Sequence, residues 1–251
     1  MYAEACFETL RVIDGEIFAW QDHLDRLSGG LAAFGLPCPQ GLLPRCLAAA
    51  RQAGDDTILR LTVSGGAAPR GLMVGALRSP EAHVQAWPYV EPAAPLALRS
   101  LEWPQGGMSR TAKFTSDYAY TIRVLQQAHH SGHLQQDEQA LFVAQAELLC
   151  METANILLLM NGCWITPEHH AVLPGVVRAH LLREGVLSTS RCAEDCLQGC
   201  ESMAICNSGC FVRAVNRVNG RSLDVRPQLF APLTQALKSR AGVPAHLLGA
   251  S

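Results

Sequence analysis

The sequence of 251 residues is poor in lysine, in charge and in long apolar runs. Only two of its 20 basic residues are lysines, Lys113 and Lys238. Charged residues make up 17% and the formal net charge is -2, which gives no electrostatic reason to expect nucleic acid or an acidic membrane as a partner. No apolar run reaches the roughly 18 residues of a spanning helix. The N-terminal segment also lacks the basic and apolar regions of a secretory signal. We therefore expect a cytoplasmic protein.

Cysteine is abundant, with ten residues, five of which lie between positions 192 and 210. Cys192, Cys196 and Cys200 follow one another at intervals of four and would share one face of a helix. The sequence contains no CxxC pair and no second ligand group at the spacing of zinc or iron–sulfur sites. A chain that stays reduced uses cysteine as a small buried hydrophobe. We interpret the cluster as part of the core and predict no metal site.

The first hundred residues combine strand-like and helix-like patterns, which indicates an α+β domain. The segment 7–20 predicts a β-hairpin, because Asp14-Gly15 supplies a tight turn between two strand-like runs. Apolar residues at helical spacing predict two helices, and alternating or β-rich runs predict three further strands. The predicted helices are 21–37 and 41–54, and the predicted strands are 57–66, 83–90 and 96–103.

The stretch 104–110, which contains Pro104 and two glycines, predicts a linker at 105–109 between a domain at 1–104 and a domain at 110–251. After it, a helix begins near Thr115 or Ser116, either of which could cap it. Two strand runs follow, at 140–151 and at 155–167, the second with an Asn161-Gly162 turn inside it. A helix entered through Pro174-Gly175 comes next. The remaining predicted elements are strands at 201–207 and 210–220 and a closing helix at 227–242.

Lys113 is the residue of the chain most suited to covalent chemistry. An ammonium can lose its proton and act as a nucleophile, whereas a guanidinium in practice cannot. The start of the helix at 173–178 suits an anion, because the backbone N–H groups of Val176 and Val177 lie at its positive end. The turn at Asn207-Ser208 offers a hydroxyl and further N–H groups.

A positive charge on the first predicted helix, Arg26, could complete such an anion site. An amine, an anion site and a partner for a ring nitrogen are what pyridoxal 5′-phosphate needs from a protein. Arg70, Arg99 and Arg110 are candidate groups for the carboxylate of a small amino or carboxylate substrate.

The order of these segments resembles the class IV aminotransferase family, the fold-type IV enzymes that depend on pyridoxal phosphate, and within it the 4-amino-4-deoxychorismate lyases. The resemblance covers nearly the whole chain. It is carried by CFETLRVIDGEI, HLDRL, RLTVSGGAAPRG, the stretch around Lys113, METANILLLMNGCWITP, LPGVVR and MAICNSGCFVRAVNRVNGR.

The resemblance implies a small α/β sandwich domain, a larger pseudo-barrel domain and a homodimer. It implies that Lys113 is the catalytic lysine that bears the cofactor. It also implies that Arg26 binds the cofactor phosphate. Further phosphate contacts would come from the N–H groups of Val176 and Val177 and from the turn at Asn207 and Ser208. The implied reaction is a lyase reaction that eliminates pyruvate to leave an aromatic amine, as in 4-aminobenzoate and folate synthesis. The alternatives are an aminotransferase for D- or branched-chain amino acids and a family member with altered or pyridoxal-free chemistry.

The position that should face the cofactor ring nitrogen departs from the family pattern. The family has a glutamate five residues before the asparagine that matches Asn155, where it faces the pyridine nitrogen. This chain has Cys150 there, and a thiol is a weak donor and a poor counter-ion for a pyridinium. Glu147 and Glu152 are the carboxylates nearest in sequence. In a strand, a residue two places from Cys150 shares its face but lies roughly 6–7 Å further along, so Glu152 is the less favoured alternative as a partner for the ring nitrogen.

Overall fold

A computed structural model of the chain describes residues 4–67, 78–92, 95–103 and 110–238. The chain divides into two compact units, which are described separately below. The first comprises 1–90 together with 111–119, and the second comprises 91–110 together with 120–251. None of the helices within the described ranges combines the length and the apolar character needed to span a bilayer.

The first unit contains an antiparallel four-stranded sheet in the order β2-β1-β3-β4. Asp14 and Gly15 both have positive φ, 50° and 79°, as the predicted two-residue turn between β1 and β2 requires. Its elements are β1 (Ala5–Ile13), β2 (Glu16–Ile17), α1 (Trp20–Ala33), α2 (Leu42–Ala53), β3 (Asp56–Ser64) and β4 (Glu81–Pro88).

Both helices of the first unit pack on its sheet, α1 against β1 and α2 against β3 and β4. Strand β3 alternates buried and less buried residues along its length, so that Leu59, Leu61 and Val63 reach the core between sheet and helices. This sheet-and-helix layer is the small α/β sandwich predicted from the sequence.

The second unit contains a nine-stranded sheet in which six strands close on themselves. Its elements are β5 (Leu96–Glu102), α3 (Thr115–His130, of which residues up to 119 belong to the first unit), β6 (Glu138–Ala144), β7 (Glu147–Met151), β8 (Asn155–Met160), β9 (Cys163–Pro167), α4 (Val176–Arg183), β10 (Ser188–Ser190), α5 (Cys196–Gly199), β11 (Ser202–Asn207), β12 (Phe211–Val218), β13 (Arg221–Ser222) and α6 (Pro227–Lys238).

Closure follows the order β8-β11-β12-β5-β6-β7, and β7 pairs back onto β8 through Cys150 and Asn155. Leucine, isoleucine, valine and methionine side chains fill the interior, among them Ile156, Leu158, Met203 and Val215. The pseudo-barrel predicted from the resemblance is therefore present, and the α+β class is confirmed.

Two findings differ from the sequence predictions. Strand β5, placed in the first domain at 1–104, pairs in parallel with β6 and β12 of the pseudo-barrel, because its residues from Leu96 onward complete that closed sheet. The predicted linker at 105–109 lies outside the described residues. The cysteines at 192, 196 and 200 do not share a helix face, because α5 has only four residues; Cys192 and Cys200 are nevertheless buried in the core, as predicted.

Candidate active site

Lys113 lies in a short segment that is joined to strand β1 of the first unit. The N–H of Phe7 donates a hydrogen bond to the carbonyl of Lys113 at 3.0 Å, and Cys6 forms a β-bridge with Phe114. The ammonium nitrogen of Lys113 lies 5.3 Å from the centroid of the Phe7 ring. The residue is half-buried. The backbone of the segment is thus fixed by its pairing with β1.

A buried carboxylate, Glu8, is the centre of the polar cluster beside this segment. Its Oε1 accepts from Nε of Arg26 at 2.8 Å, and its Oε2 accepts from Nη2 of the same guanidinium at 2.6 Å. The ring Nδ1 of His23 lies 2.7 Å from Oε2. Glu8 and His23 are each only 1% exposed. A two-point ion pair of this kind fixes Arg26 in position as well as in charge.

The ionisation of this cluster follows from burial and hydrogen bonding together. Burial opposes the ionised form of Glu8, but the hydrogen bonds from Arg26 and His23 outweigh it and lower the pKa of this carboxyl to about 2. Burial also lowers the pKa of His23 below its ordinary value, and the charges of Arg26 and Lys113 act in the same direction. Lys113 is therefore close enough to His23 to influence its charge.

Gly30 permits the Lys113 segment to lie against helix α1. A Cβ at Gly30 would come within 2.6 Å of the Ala112 Cβ and 3.0 Å of the Cys6 sulfur. The neighbouring Gly29 is exposed and has nothing within 4 Å of such a Cβ. The helix and the segment bearing the lysine are in close contact only because residue 30 has no side chain.

We predict opposite effects for two adjacent substitutions in α1. Gly30→Ala should lower the free energy of unfolding by about 1–3 kcal/mol, because the new methyl group must displace Ala112 or Cys6. Gly29→Ala should raise it by about 0.5–1 kcal/mol, since alanine is the better helix former. Urea unfolding followed by circular dichroism measures both. Equal effects of the two substitutions would contradict the contact.

In the second unit, α4 begins at a glycine that lies against Asn155. Gly175 is the N-cap, and a Cβ there would come within 2.0 Å of the Asn155 Oδ1. The Asn155 Nδ2 donates to the carbonyl of Leu173 at 2.9 Å. Val176 and Val177 are the first two residues of the helix, so their N–H groups have no acceptor within it. This helix start has the features of an anion site.

The turn after β11 is shaped by the side chain of Asn207. Its Oδ1 accepts from the N–H groups of Gly209 at 2.8 Å and Cys210 at 2.9 Å, and its Nδ2 donates to the carbonyl of Thr153 at 3.3 Å. The amide oxygen of Asn207 therefore fixes the shape of the turn, and its Nδ2 joins the turn to the connection between β7 and β8. The buried Ser208 follows it and is the better candidate to contact a ligand.

Cys150, Asn155 and Cys206 form a row across β7, β8 and β11, because the first two and the last two are direct strand partners. Directly paired residues have their side chains on the same face of a sheet. Burial raises the pKa of Cys150 to about 11, although the charge and hydrogen bond of Arg110 lower it. At neutral pH Cys150 is thus an uncharged thiol, next to a guanidinium.

The carboxylates near Cys150 in the sequence interact elsewhere. The Oε1 of Glu152 accepts the backbone N–H of Ala140 at 2.8 Å, and Glu147 forms an ion pair with Arg191. Glu152 was the alternative ring-nitrogen partner considered from the sequence, and its contact is with strand β6. Of the three candidate carboxylate-binding arginines, Arg99 pairs with Glu138 at 2.8 Å, and Arg70 lies outside the described residues.

The structure brings several candidate residues together within each unit. Arg26 and Lys113 both flank His23 in the first unit, and the start of α4, Asn155 and the turn after β11 are contiguous in the second. Glu8, His23 and Arg110 were not identified from the sequence as members of these clusters. The i, i+3 spacing of His23 and Arg26 was a usable signal for the first cluster. The remaining candidates, all in the second unit, are Cys150, Val176, Val177, Asn207 and Ser208.

Comparison with known proteins identifies the class. The family model described as amino-transferase class IV matches residues 5–218. Solved structures with similar folds include a protein assigned as a 4-amino-4-deoxychorismate lyase from Legionella pneumophila (22% identity, TM-score 0.79, covering 93% of this chain and 91% of that one). They also include the Escherichia coli branched-chain amino acid aminotransferase (19% identity, TM-score 0.80, covering 95% of this chain and 86% of that one). A hypothetical aminotransferase from Mycobacterium tuberculosis in its PLP-bound form is a third (20% identity, TM-score 0.75, covering 95% of this chain and 89% of that one).

The chain belongs to the class IV aminotransferase family. The protein is accordingly an enzyme of a family that depends on pyridoxal phosphate. The search of curated proteins found no match.

Proposed function

We propose that this enzyme binds pyridoxal 5′-phosphate and eliminates pyruvate from 4-amino-4-deoxychorismate, leaving 4-aminobenzoate of the kind used in folate synthesis. The proposal rests chiefly on the chemistry at position 150, where an uncharged thiol beside a guanidinium replaces the carboxylate of the family pattern. A ring without that carboxylate withdraws electrons less strongly, which an elimination tolerates better than a reversible amino-group transfer does. The similar fold of the Legionella protein is consistent with it. We expect a homodimer, as implied by the family resemblance.

The residues present fit the cofactor at its phosphate end. The helix start at Gly175 has no side chain among the described residues capping it, and it leaves the N–H groups of Val176 and Val177 for an anion. In the second unit the buried Ser208 adds a hydroxyl. In the first unit Arg26 is a cation held by the buried Glu8, and the family resemblance implies that it too binds the phosphate. When bound, the cofactor supplies an aldehyde for amine capture and a ring that withdraws electrons from the substrate carbon.

Lys113 would hold the cofactor and then move protons. Its amine would hold the cofactor covalently until a substrate amine is bound. The released amine of Lys113 is then available to take a proton from the substrate and to return one to the product. Backbone pairing with β1 fixes the backbone from which this amine extends.

Borohydride trapping tests the cofactor assignment. The protein is incubated with pyridoxal phosphate, reduced with sodium borohydride, digested and analysed by mass spectrometry. We expect the pyridoxyl group on the peptide that contains Lys113 and not on the peptide that contains Lys238. A protein that shows no adduct, or an adduct on both lysines equally, would contradict the assignment.

The reaction itself is tested with two assays on the same preparation. Release of pyruvate and 4-aminobenzoate from 4-amino-4-deoxychorismate supports the lyase function. Amino-group transfer from a D- or branched-chain amino acid to 2-oxoglutarate, without pyruvate release, would instead identify an aminotransferase. The absence of both activities in a protein that binds the cofactor would indicate altered chemistry.

A further inference from the structure

We propose that Arg110 is the group that this enzyme presents to the ring nitrogen of its cofactor, so that the nitrogen accepts a hydrogen bond and stays unprotonated. This inference depends on the proposed function, because it requires that pyridoxal phosphate be bound. It assigns a positioning and electronic role to a residue that the sequence indicated only as one of three possible substrate-binding arginines.

The location of Cys150 is the first step. Its strand partner Asn155 lies against Gly175, where the phosphate end of the candidate site begins. Cys150 therefore lies on the same face of the sheet as the anion-binding helix start, one strand further along. This is the face on which a ring whose phosphate is held at α4 would be in contact with the sheet.

Arg110 is fixed beside this thiol. Its backbone N–H donates to the carbonyl of His170 at 3.0 Å, and its guanidinium carbon lies 5.4 Å from the centroid of the Trp103 ring. Arg110 is 7% exposed, and a hydrogen bond joins its side chain to Cys150. Trp103 packs in turn against Phe142, with ring centroids 4.9 Å apart. The guanidinium thus lies next to an aromatic pair and is shielded from solvent.

The positive charge of Arg110 lies beside position 150, where the family pattern has the negative charge of a glutamate. A carboxylate next to a pyridine nitrogen stabilises the protonated ring, whereas a cation destabilises it. A guanidinium has donors only, so it can pair with the ring nitrogen only when that nitrogen is an acceptor. Cys150 cannot reverse this, because its thiol is uncharged at neutral pH. The carboxylates nearest in sequence have other partners, Arg191 for Glu147 and the N–H of Ala140 for Glu152.

An unprotonated ring withdraws electrons less strongly than a pyridinium does. An elimination places a smaller demand on the ring than a reversible amino-group transfer does, because the leaving group carries the electron pair away. The pair formed by Arg110 and Cys150 would therefore favour lyase chemistry over transamination. This links the charge at one buried position to the class of reaction.

The protonation state of the ring can be read directly. The holoenzyme is prepared with pyridoxal phosphate labelled with ¹⁵N in the ring, and its ¹⁵N chemical shift is measured, because protonated and unprotonated pyridine nitrogens are well separated. We expect the unprotonated value in the wild-type protein at neutral pH. A pyridinium value would overturn the proposal while leaving the cofactor assignment intact.

A binding experiment on variants provides the second test. An analogue with a C–H group in place of the ring nitrogen should bind the wild-type protein at least about tenfold more weakly than pyridoxal phosphate, since a hydrogen bond to a charged group is lost. In Arg110→Gln this difference should shrink, and in the exposed control Arg217→Gln it should persist. The double variant Arg110→Gln with Cys150→Glu should shift the ¹⁵N signal to the pyridinium value.

The outcomes separate the two proposals. An affinity difference unchanged in Arg110→Gln overturns the role of Arg110. A protein that binds neither the cofactor nor the analogue overturns the proposed function and this inference together. The ¹⁵N measurement on the wild-type protein needs no variant, so a failure of Arg110→Gln to fold does not prevent a decision.

Discussion

Replacing Lys113 with alanine should reduce turnover by at least about a thousandfold and should abolish borohydride-stable labelling by pyridoxal phosphate. The substitution removes both the nucleophile for the cofactor aldehyde and the group that moves protons to and from the substrate. The only other lysine, Lys238, is the last residue of α6. No arginine can substitute, because a guanidinium does not lose its proton in proteins.

Two control variants separate chemistry from charge. Lys113→Arg keeps the positive charge whose influence reaches His23, but it cannot form the covalent bond. It should be as inactive as the alanine variant while unfolding at a similar denaturant concentration to the wild type. Lys238→Ala should keep full activity. Turnover and labelling that survive in Lys113→Ala would exclude Lys113 as the catalytic lysine, and with it the proposed function.

Turn chemistry determined how much of the fold could be predicted from the sequence. Asp14-Gly15 and Asn161-Gly162 were identified as turns because these dipeptides tolerate positive φ, and both turns are present. Gln145 and Ala146 also have positive φ, 51° and 60°, between β6 and β7. Neither residue type favours that conformation, so the run at 140–151 was predicted as a single strand. Pairing within the closed sheet, which acts over long sequence distances, imposes the turn.

In the candidate site, too, residues marked by local sequence features could be predicted, whereas contacts between distant parts of the chain could not. Lys113 and Arg26 could be identified because a lysine is rare here and because helix starts and motifs are local. The contact between Arg110 and Cys150 could not, because the two residues are far apart in the sequence and meet only when β5, β6 and β7 become neighbours. Likewise, the bond between Glu8 and Arg26 depends on α1 packing on β1.

The buried Glu8 should be the most important single carboxylate for stability. Glu8→Ala removes the buried carboxylate that pairs with both Arg26 and His23, which should cost about 3–5 kcal/mol of unfolding free energy. Asp137, which pairs with Arg217 at the surface, is the matched control, and Asp137→Ala should change stability little. Equal denaturation midpoints for the two variants would contradict the burial of the Glu8 pair.

The same cluster should make the protein sensitive to acid in two steps. His23 has its pKa lowered by burial, so the unfolded chain binds more protons than the folded one below pH 6.5, and stability falls from that point downward. Glu8 has a folded pKa of about 2 against an ordinary value of 4.5. Its contribution is present above pH 4.5 and is lost as the pH falls toward 2. Urea unfolding at a series of pH values measures both steps.

In Glu8→Gln the loss of stability between pH 4.5 and 2 should become shallower, because the titrating carboxylate has gone, while the decline that begins at pH 6.5 remains. An unchanged slope below pH 4.5 would show that other carboxylates, and not Glu8, control acid unfolding.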